Sequence, residues 1–209
     1  MRFLLFSDLH GDETACAALV EKACHADLVI GAGDYANFRK NLKNTLKILS
    51  AIEVPVVLVH GNHESSVELK NACSRYDNFF VLHGNTVELN GYTFVGLGAG
   101  VPITPFGSWS VDLSEEDALG LLPDIKKKFI FISHSPPYSC LDQMFDGRNI
   151  GSRTVLNYIR QSKPLFVVCG HIHEQWGKSD SIEGVSVINA GPLGIYMEYS
   201  NSGDMLIND

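Results

Sequence analysis

No stretch of this 209-residue chain approaches the roughly 18 consecutive apolar residues that cross a bilayer. The opening run Phe3–Phe6 is cut off by Ser7-Asp8, short of the about 7–15 residues of a secretory apolar segment. Both absences point to a cytoplasmic protein with no membrane partner. Cysteine is sparse. Cys16, Cys24, Cys73, Cys140 and Cys169 are odd in number and form no C-x-x-C pair, which excludes a disulfide scaffold and reads as small buried thiols in a reducing compartment. Charged residues make up only 19%, against roughly 25% in an average soluble domain. Cations are the scarcer sign, with 16 Lys+Arg against 24 Asp+Glu and a formal charge of −8. That balance disfavours a partner such as nucleic acid held through a basic surface. There is no Pro/Ser-rich linker, no low-complexity tract, no repeat and no G-x-S-x-G elbow.

What is present is a 45% apolar chain of one-domain length, so residues 1–209 are expected to fold as a single domain. A domain this size buries roughly 70% of its unfolded surface and needs no staple. Short apolar runs end in Gly, Asp, Asn or His, and helical patterns follow them. Phe3–Phe6 precedes a helix capped by Asp12 and carrying Cys16, Leu19, Val20, Ala23 and Cys24. Leu28–Ile30 precedes a helix through Leu42, Leu46 and Leu49, and Val56–Val59 a weaker one from Val67 to Cys73. This alternation predicts a parallel sheet in the first half. The second half is richer in strands. Asn85–Leu89 and Thr93–Gly96 flank the hairpin signal Asn90-Gly91, with further strands at Phe129–Ile132, Leu165–Val168 and Val185–Ile188. Helices are expected from Ser114 and Ser152, and a last hairpin from Ile195–Tyr199 and Met205–Ile207 around Asn201-Ser202-Gly203. Two sheets in one domain are the economical reading.

The acids and histidines sit at the ends of these strands: Asp8-x-His10, Gly33-Asp34, Gly61-Asn62-His63-Glu64, Ser133-His134 and Gly170-His171-Ile172-His173. Ligands of parallel α/β sheets bind at the carboxyl ends of strands. In extended chain, residues i and i+2 face one side, so Asp8 with His10, and His171 with His173, are expected to converge. The donor set is imidazole, carboxylate and one carboxamide, without thiolate. It suits Mn²⁺, Fe or Zn²⁺ better than Ca²⁺ or a structural zinc. Asp8, His10, Asp34, Asn62, His134, His171 and His173 are enough for two divalent ions if one carboxylate bridges, the usual arrangement for displacement at phosphorus. Two such ions, set against two carboxylates and a hydroxide, leave the site at about +1 inside a negative molecule.

D-x-H, G-D, G-N-H-E, a later His before Pro136-Pro137, and G-H-x-H, in this order, resemble the calcineurin-like metallophosphoesterases from Asp8 to about Asn189. The stretch His134–Pro137, Asp142, Gly151-Ser152 and His171–Glu174 is similar to a small stand-alone branch associated with phosphodiester and cyclic-nucleotide hydrolysis. The resemblance implies an α/β, four-layer αββα sandwich of two mixed sheets flanked by helices. It implies one metal on Asp8, His10, Asp34 and His173, and another on Asp34, Asn62, His134 and His171, with Asp34 bridging and a bridging hydroxide as nucleophile. His63 is implied as the proton donor beside Asn62, acting on a small phosphoester, with a diester favoured over a monoester. A non-catalytic metal-binding scaffold of the same fold is the alternative from another class. One departure is clear: Asn37 stands where the protein-phosphatase branch carries an Asp supporting the catalytic His, and Glu64 is the candidate substitute.

Other features admit plainer readings. His25 and His83 read as structural, while His60 adjoins the motif loop. Gly31-Ala32-Gly33-x-x-Ala36 fits a dinucleotide fingerprint, but Asp34 stands where a pyrophosphate would lie. Lys126–Lys128 reads as a solvated helix end. Segment 98–112, with Phe106 and Trp109, is either a lid or a packed surface loop. Segment 138–152 carries Arg148 and Asn149, candidate substrate-binding residues leading into a helix N-terminus that could hold a phosphate.

Overall fold

Side chains of the first strand, β1 (Arg2–Phe6), alternate between two apolar layers, as the pleat requires. Leu4 and Phe6 face one layer with α1 (Glu13–Ala23) and α2 (Leu42–Leu49). Phe3 and Leu5 face the other, where the two sheets meet. The computed structural model describes residues 1–200 and 205–208. Within them β1, β2 (Leu28–Gly31), β3 (Val56–Leu58) and β4 (Phe79–Val81) run parallel. The helices α1, α2 and α3 (Ser66–Cys73) connect them. β11 (Ile195–Tyr199) adds antiparallel beside β1, and β12 (Met205–Asn208) antiparallel beside β11. The last expected hairpin therefore pairs, while its turn at Asn201-Ser202-Gly203 lies outside the described residues.

The second sheet runs in the order β5 (Asn85–Leu89), β6 (Tyr92–Leu97), β7 (Ile130–Ser133), β8 (Phe166–Cys169), β10 (Val185–Asn189) and β9 (Lys178–Ile182). Its centre is parallel and its two edges antiparallel. Asn90 and Gly91 both have positive φ (50° and 81°), the backbone of a two-residue hairpin turn that untwists neither strand. Helices α4 (Glu115–Leu121) and α5 (Arg153–Ser162) cover the outer face, through Ala118, Val155, Tyr158 and Ile159.

Helices, sheet, sheet and helices thus stack as the four layers that the resemblance implies. Between the sheets, Phe3, Leu5, Ile30 and Val57 pack on Phe94, Ile132, Phe166 and Val168, all fully buried. At about 1.5–3 kcal/mol per buried side chain, this layer holds the sheets as one platform. β4 and β9 carry no readable alternation: β4 has three residues, and Lys178–Ser181 of β9 is exposed and polar, as an edge strand tends to be. The lysine expectation needs correction. α4 ends at Leu121, and Lys126–Lys128 lie in the connector before β7, where Lys127 pairs with Glu88. No helix among the described residues is long and apolar enough to cross a membrane.

Candidate metal centre

Strands β1, β2 and β3 are neighbours in one sheet, and β7 and β8 in the other, so their carboxyl ends open onto one place. Asp8 and His10 follow β1, Asp34 follows β2, Asn62 and His63 follow β3, His134 follows β7, and His171 and His173 follow β8. Three overlapping groups have ligand atoms within 4.8 Å of one another: Asp8–His10–His173, His10–Asp34–His63 and Asp34–His134–His171. Asp34 Oδ2 lies 3.4 Å from His134 Nε2, 3.8 Å from His10 Nε2 and 3.9 Å from His63 Nε2. Asn62 Oδ1 is 3.2 Å from His134 Nε2, and His10 Nε2 is 3.1 Å from His173 Nε2.

Convergence is not achieved by the strand pleat. Asp8, His10, Asp34 and His171 all have positive φ, between 47° and 69°. The i, i+2 argument from extended chain is therefore corrected. The chain turns in the left-handed region at each strand end, a backbone cost of order 1–3 kcal/mol per residue that clusters at functional sites. Two glycines leave the necessary room. A Cβ at Gly61 would collide with the Asp34 carboxylate, and one at Gly170 would lie 2.5 Å from Asp8 Oδ2.

Three of the donors, Asp8, Asn62 and His134, are aimed by a second residue. Asp8 Oδ2 accepts from Ser7 Oγ and from Trp176 Nε1 (3.0 Å), and its Oδ1 accepts from His171 N–H. Asn62 Nδ2 donates to Ser110 Oγ at 3.0 Å, which turns Oδ1 inward. His134 Nδ1 lies 2.8 Å from the Ala32 carbonyl and donates to it, so Nε2 is the free ring atom. Burial opposes a charge on His134, but Asp34 outweighs it and raises the imidazole to about 9. Burial likewise opposes the Asp34 carboxylate, yet His134, His63 and His10 hold it well below the usual range. The proton that Asp34 draws onto His134 Nε2 sits where a cation would bind. The donor set therefore fits a metal: imidazole nitrogens, that of His134 with Nε2 turned inward by the Ala32 carbonyl, beside carboxylate and carboxamide oxygens.

His63 is oriented by the backbone. Its Nδ1 lies 2.9 Å from Phe38 N, and a backbone N–H can only donate, so the neutral ring carries its proton on Nε2. Burial lowers its pKa, against the pull of Asp34. Glu64 is not its support, which corrects that expectation. The buried Glu64 carboxyl, pushed up to about 8 by burial and by Asp34, accepts the N–H groups of Asp34 (2.9 Å), Gly61 (2.7 Å) and Ala36 (2.8 Å), tying the β2 and β3 loops together. His60 turns away from the cluster. Its Nδ1 faces the carbonyls of Gly61 and Glu64, its ring packs on His83 at 4.6 Å, and burial pushes it down to about 3.

Arg148 and Asn149 are not brought into the cluster. Arg148 Nε pairs with Asp146 at 2.7 Å on the surface, and Asn149 Nδ2 reaches Ser139 Oγ. The N-terminus of α5 is already satisfied, so the phosphate expectation there is overturned. Ser152 caps it, and the Glu115 carboxylate accepts from Arg153 N–H and Thr154 N–H. Segment 98–112 lies against the cluster: Ser110 holds Asn62, and the Trp109 ring meets His63 at 4.7 Å. Sequence reasoning missed Ser110, Trp176 and the role of Glu64. Only Glu64, inside a motif, carried any signal.

Loops from five strands of two sheets feeding one imidazole and carboxylate cluster form the architecture of a metal-dependent α/β protein. Residues 1–175 match the family model described as calcineurin-like phosphoesterase, and the chain belongs to that family. It is 29% identical over 159 residues to a probable glycerophosphodiester phosphodiesterase GpdQ of Arcobacter nitrofigilis, covering 70% of this chain and 56% of that protein. It is also 29% identical over 125 residues to UPF0046 protein T07D4.2 of Caenorhabditis elegans, covering 57% and 29%. The chain thus spans about half, or less, of the length of these relatives. TT1561 of Thermus thermophilus superimposes with a TM-score of 0.78 at 18% identity, over 100% of this chain and 98% of the other, a likeness of fold.

Proposed function

We propose that this chain is a metal-dependent hydrolase of small phosphodiesters, working as one domain over residues 1–209. The observation that carries the reading is the position of Asp34 Oδ2, within 3.4–3.9 Å of three imidazole Nε2 atoms from three different loops. Two cations of the Mn, Fe or Zn kind would be held by Asp8, His10, Asp34 and His173, and by Asp34, Asn62, His134 and His171. When bound, such a pair supplies positive charge for the phosphate oxygens and acidifies a water molecule.

The protein's own part is orientation and proton handling. Ser7, Trp176, Ser110 and Ala32 keep Asp8, Asn62 and His134 aimed before any ligand arrives. His63 holds its proton at Nε2, the edge facing Asp34. With Asn37 in place of an acid, the Phe38 N–H orients the ring, and the neutral imidazole acts through Nε2–H as a hydrogen-bond donor to the leaving oxygen, keeping its proton. Arg148 would contribute to binding only after leaving Asp146. Diester preference is supported by the name of the Arcobacter relative, and small substrate size by the net charge of −8. The five unbridged cysteines support a cytoplasmic location.

The test is metal analysis together with hydrolysis of a chromogenic bis-phosphoester by wild type, Asn62→Ala and His63→Ala. Wild type loaded with Mn²⁺ turns over. Asn62→Ala loses metal and activity together, whereas His63→Ala keeps its metal and slows by about 100-fold or more. Wild type and variants equally inert toward diesters and monoesters would sink the reading and leave a metal-binding scaffold.

A further inference from the structure

Three aromatic rings beside His63 have no part in the chemistry above. Phe38 and Trp109 flank the imidazole at centroid distances of 5.1 and 4.7 Å and lie 4.6 Å from each other. Phe106 stacks on Trp109, 5.5 Å away with planes 17° apart. Phe38 is 55% exposed and Phe106 49%. Single exposed apolar residues need no explanation, but a contiguous aromatic patch at the edge of a polar site marks a surface for a ligand.

The patch and His63 share one frame. Phe38 gives its own N–H to His63 Nδ1, and Trp109 is followed by Ser110, which holds Asn62. A leaving oxygen placed at His63 Nε2 therefore puts its substituent beside these rings. We propose that Phe38, Trp109 and Phe106 form a specificity-determining wall that stacks a planar aromatic ring carried on the leaving side of the phosphodiester. This inference rests on the phosphodiesterase reading. A glycerol-type substituent has no π face to offer such a wall, whereas an aryl group and a nucleobase both do.

The test compares wild type with Phe106→Ala, Phe106→Leu and Phe106→Tyr, all Mn²⁺-loaded, on four esters. Ethyl phenyl phosphate and adenosine 5′-ethylphosphate carry a ring, one aryl and one nucleobase; diethyl phosphate and glycerophosphoethanolamine carry none. Phe106→Ala and Phe106→Leu are expected to lower kcat/KM for ring-bearing esters about fivefold more than for ring-free ones, mainly through KM, with Phe106→Tyr restoring it. The two ring-bearing esters separate aryl from nucleobase recognition. Calorimetry on the metal-free protein gives a second readout. Phenyl phosphate or AMP binds more tightly than glycerol 3-phosphate, and Phe106→Ala removes the difference. Turnover of all four esters with equal effects of every substitution, and no ring preference in calorimetry, overturns the wall and leaves the phosphodiesterase reading standing. Absence of turnover on every ester overturns that reading, and the wall with it.

Discussion

Asn62 and Ser110, 48 positions apart, are joined by a 3.0 Å hydrogen bond from Asn62 Nδ2 to Ser110 Oγ. That bond decides which end of the carboxamide faces His134. Ser110 is itself held by Asp112 and Thr104, so the hydroxyl that sets the Asn62 carboxamide is fixed within segment 98–112.

Ser110→Ala removes the acceptor and leaves Asn62 free to flip. Groups that aim metal ligands typically matter by 10–100-fold, so the variant is expected to lose about 10-fold or more in metal affinity or kcat/KM. Metal retention on dialysis and steady-state kinetics check this, and Ser110→Thr, which keeps the hydroxyl, is expected to behave nearly as wild type. Equal behaviour of Ala and Thr variants would remove Ser110 from the argument.

Glu64 is a structural staple, and its loss is expected to read as stability before activity. In Glu64→Gln one acceptor oxygen becomes an NH₂ that opposes a backbone N–H of Asp34, Gly61 or Ala36. A buried donor left unsatisfied costs about 1–3 kcal/mol, so urea unfolding of the metal-free protein is expected to show a loss of about 2 kcal/mol. An unchanged midpoint would mean that the three amides find other partners.

Glu115 yields a pH-dependent expectation away from the metal centre. Burial alone would raise its carboxyl, but hydrogen bonds from Ser152, Thr154 and Arg153 outweigh this and hold it below the ordinary value of 4.5. An acid depressed in the fold stabilises it above its unfolded value and loses that contribution as pH falls through the folded value. Glu115→Gln is therefore expected to cost about 1 kcal/mol at pH 7, as a lost helix cap does. The gap from wild type narrows as pH falls below 4.5. Urea midpoints at pH 7 and in mild acid measure both; a gap that is constant with pH would rule out the carboxylate as its source.

Much of the site was legible because each ligand candidate follows an apolar strand, and strand ends in a parallel sheet share one side. Asp8, His10, Asp34, Asn62, His134, His171 and His173 could be picked out on that ground, and the structure gathers them. The i, i+2 rule failed because the ligand loops leave the strand through positive φ, which extended-chain reasoning does not contain. Glu64 stood next to His63 in sequence, yet its carboxylate points into the loop amides, since neighbours in a turn share no face. Strands β4 and β9 escaped because one is too short and the other too polar to show a period.

By itself, the order of apolar runs and the residues that end them determined the α/β class, the position of the site and the scarcity of cysteine and cation. These are local properties, readable wherever hydrophobic period and turn chemistry act within a few residues. Tertiary structure alone decided which distant residues orient the side chains of the site. It paired Asn62 with Ser110, Asp8 with Trp176, and His63 with the Phe38 amide, and it closed the α5 N-terminus with Glu115. These contacts join residues from 25 to 168 positions apart. A hydrogen bond reaches about 3 Å, and no pattern along the chain records which distant segments packing brings that close.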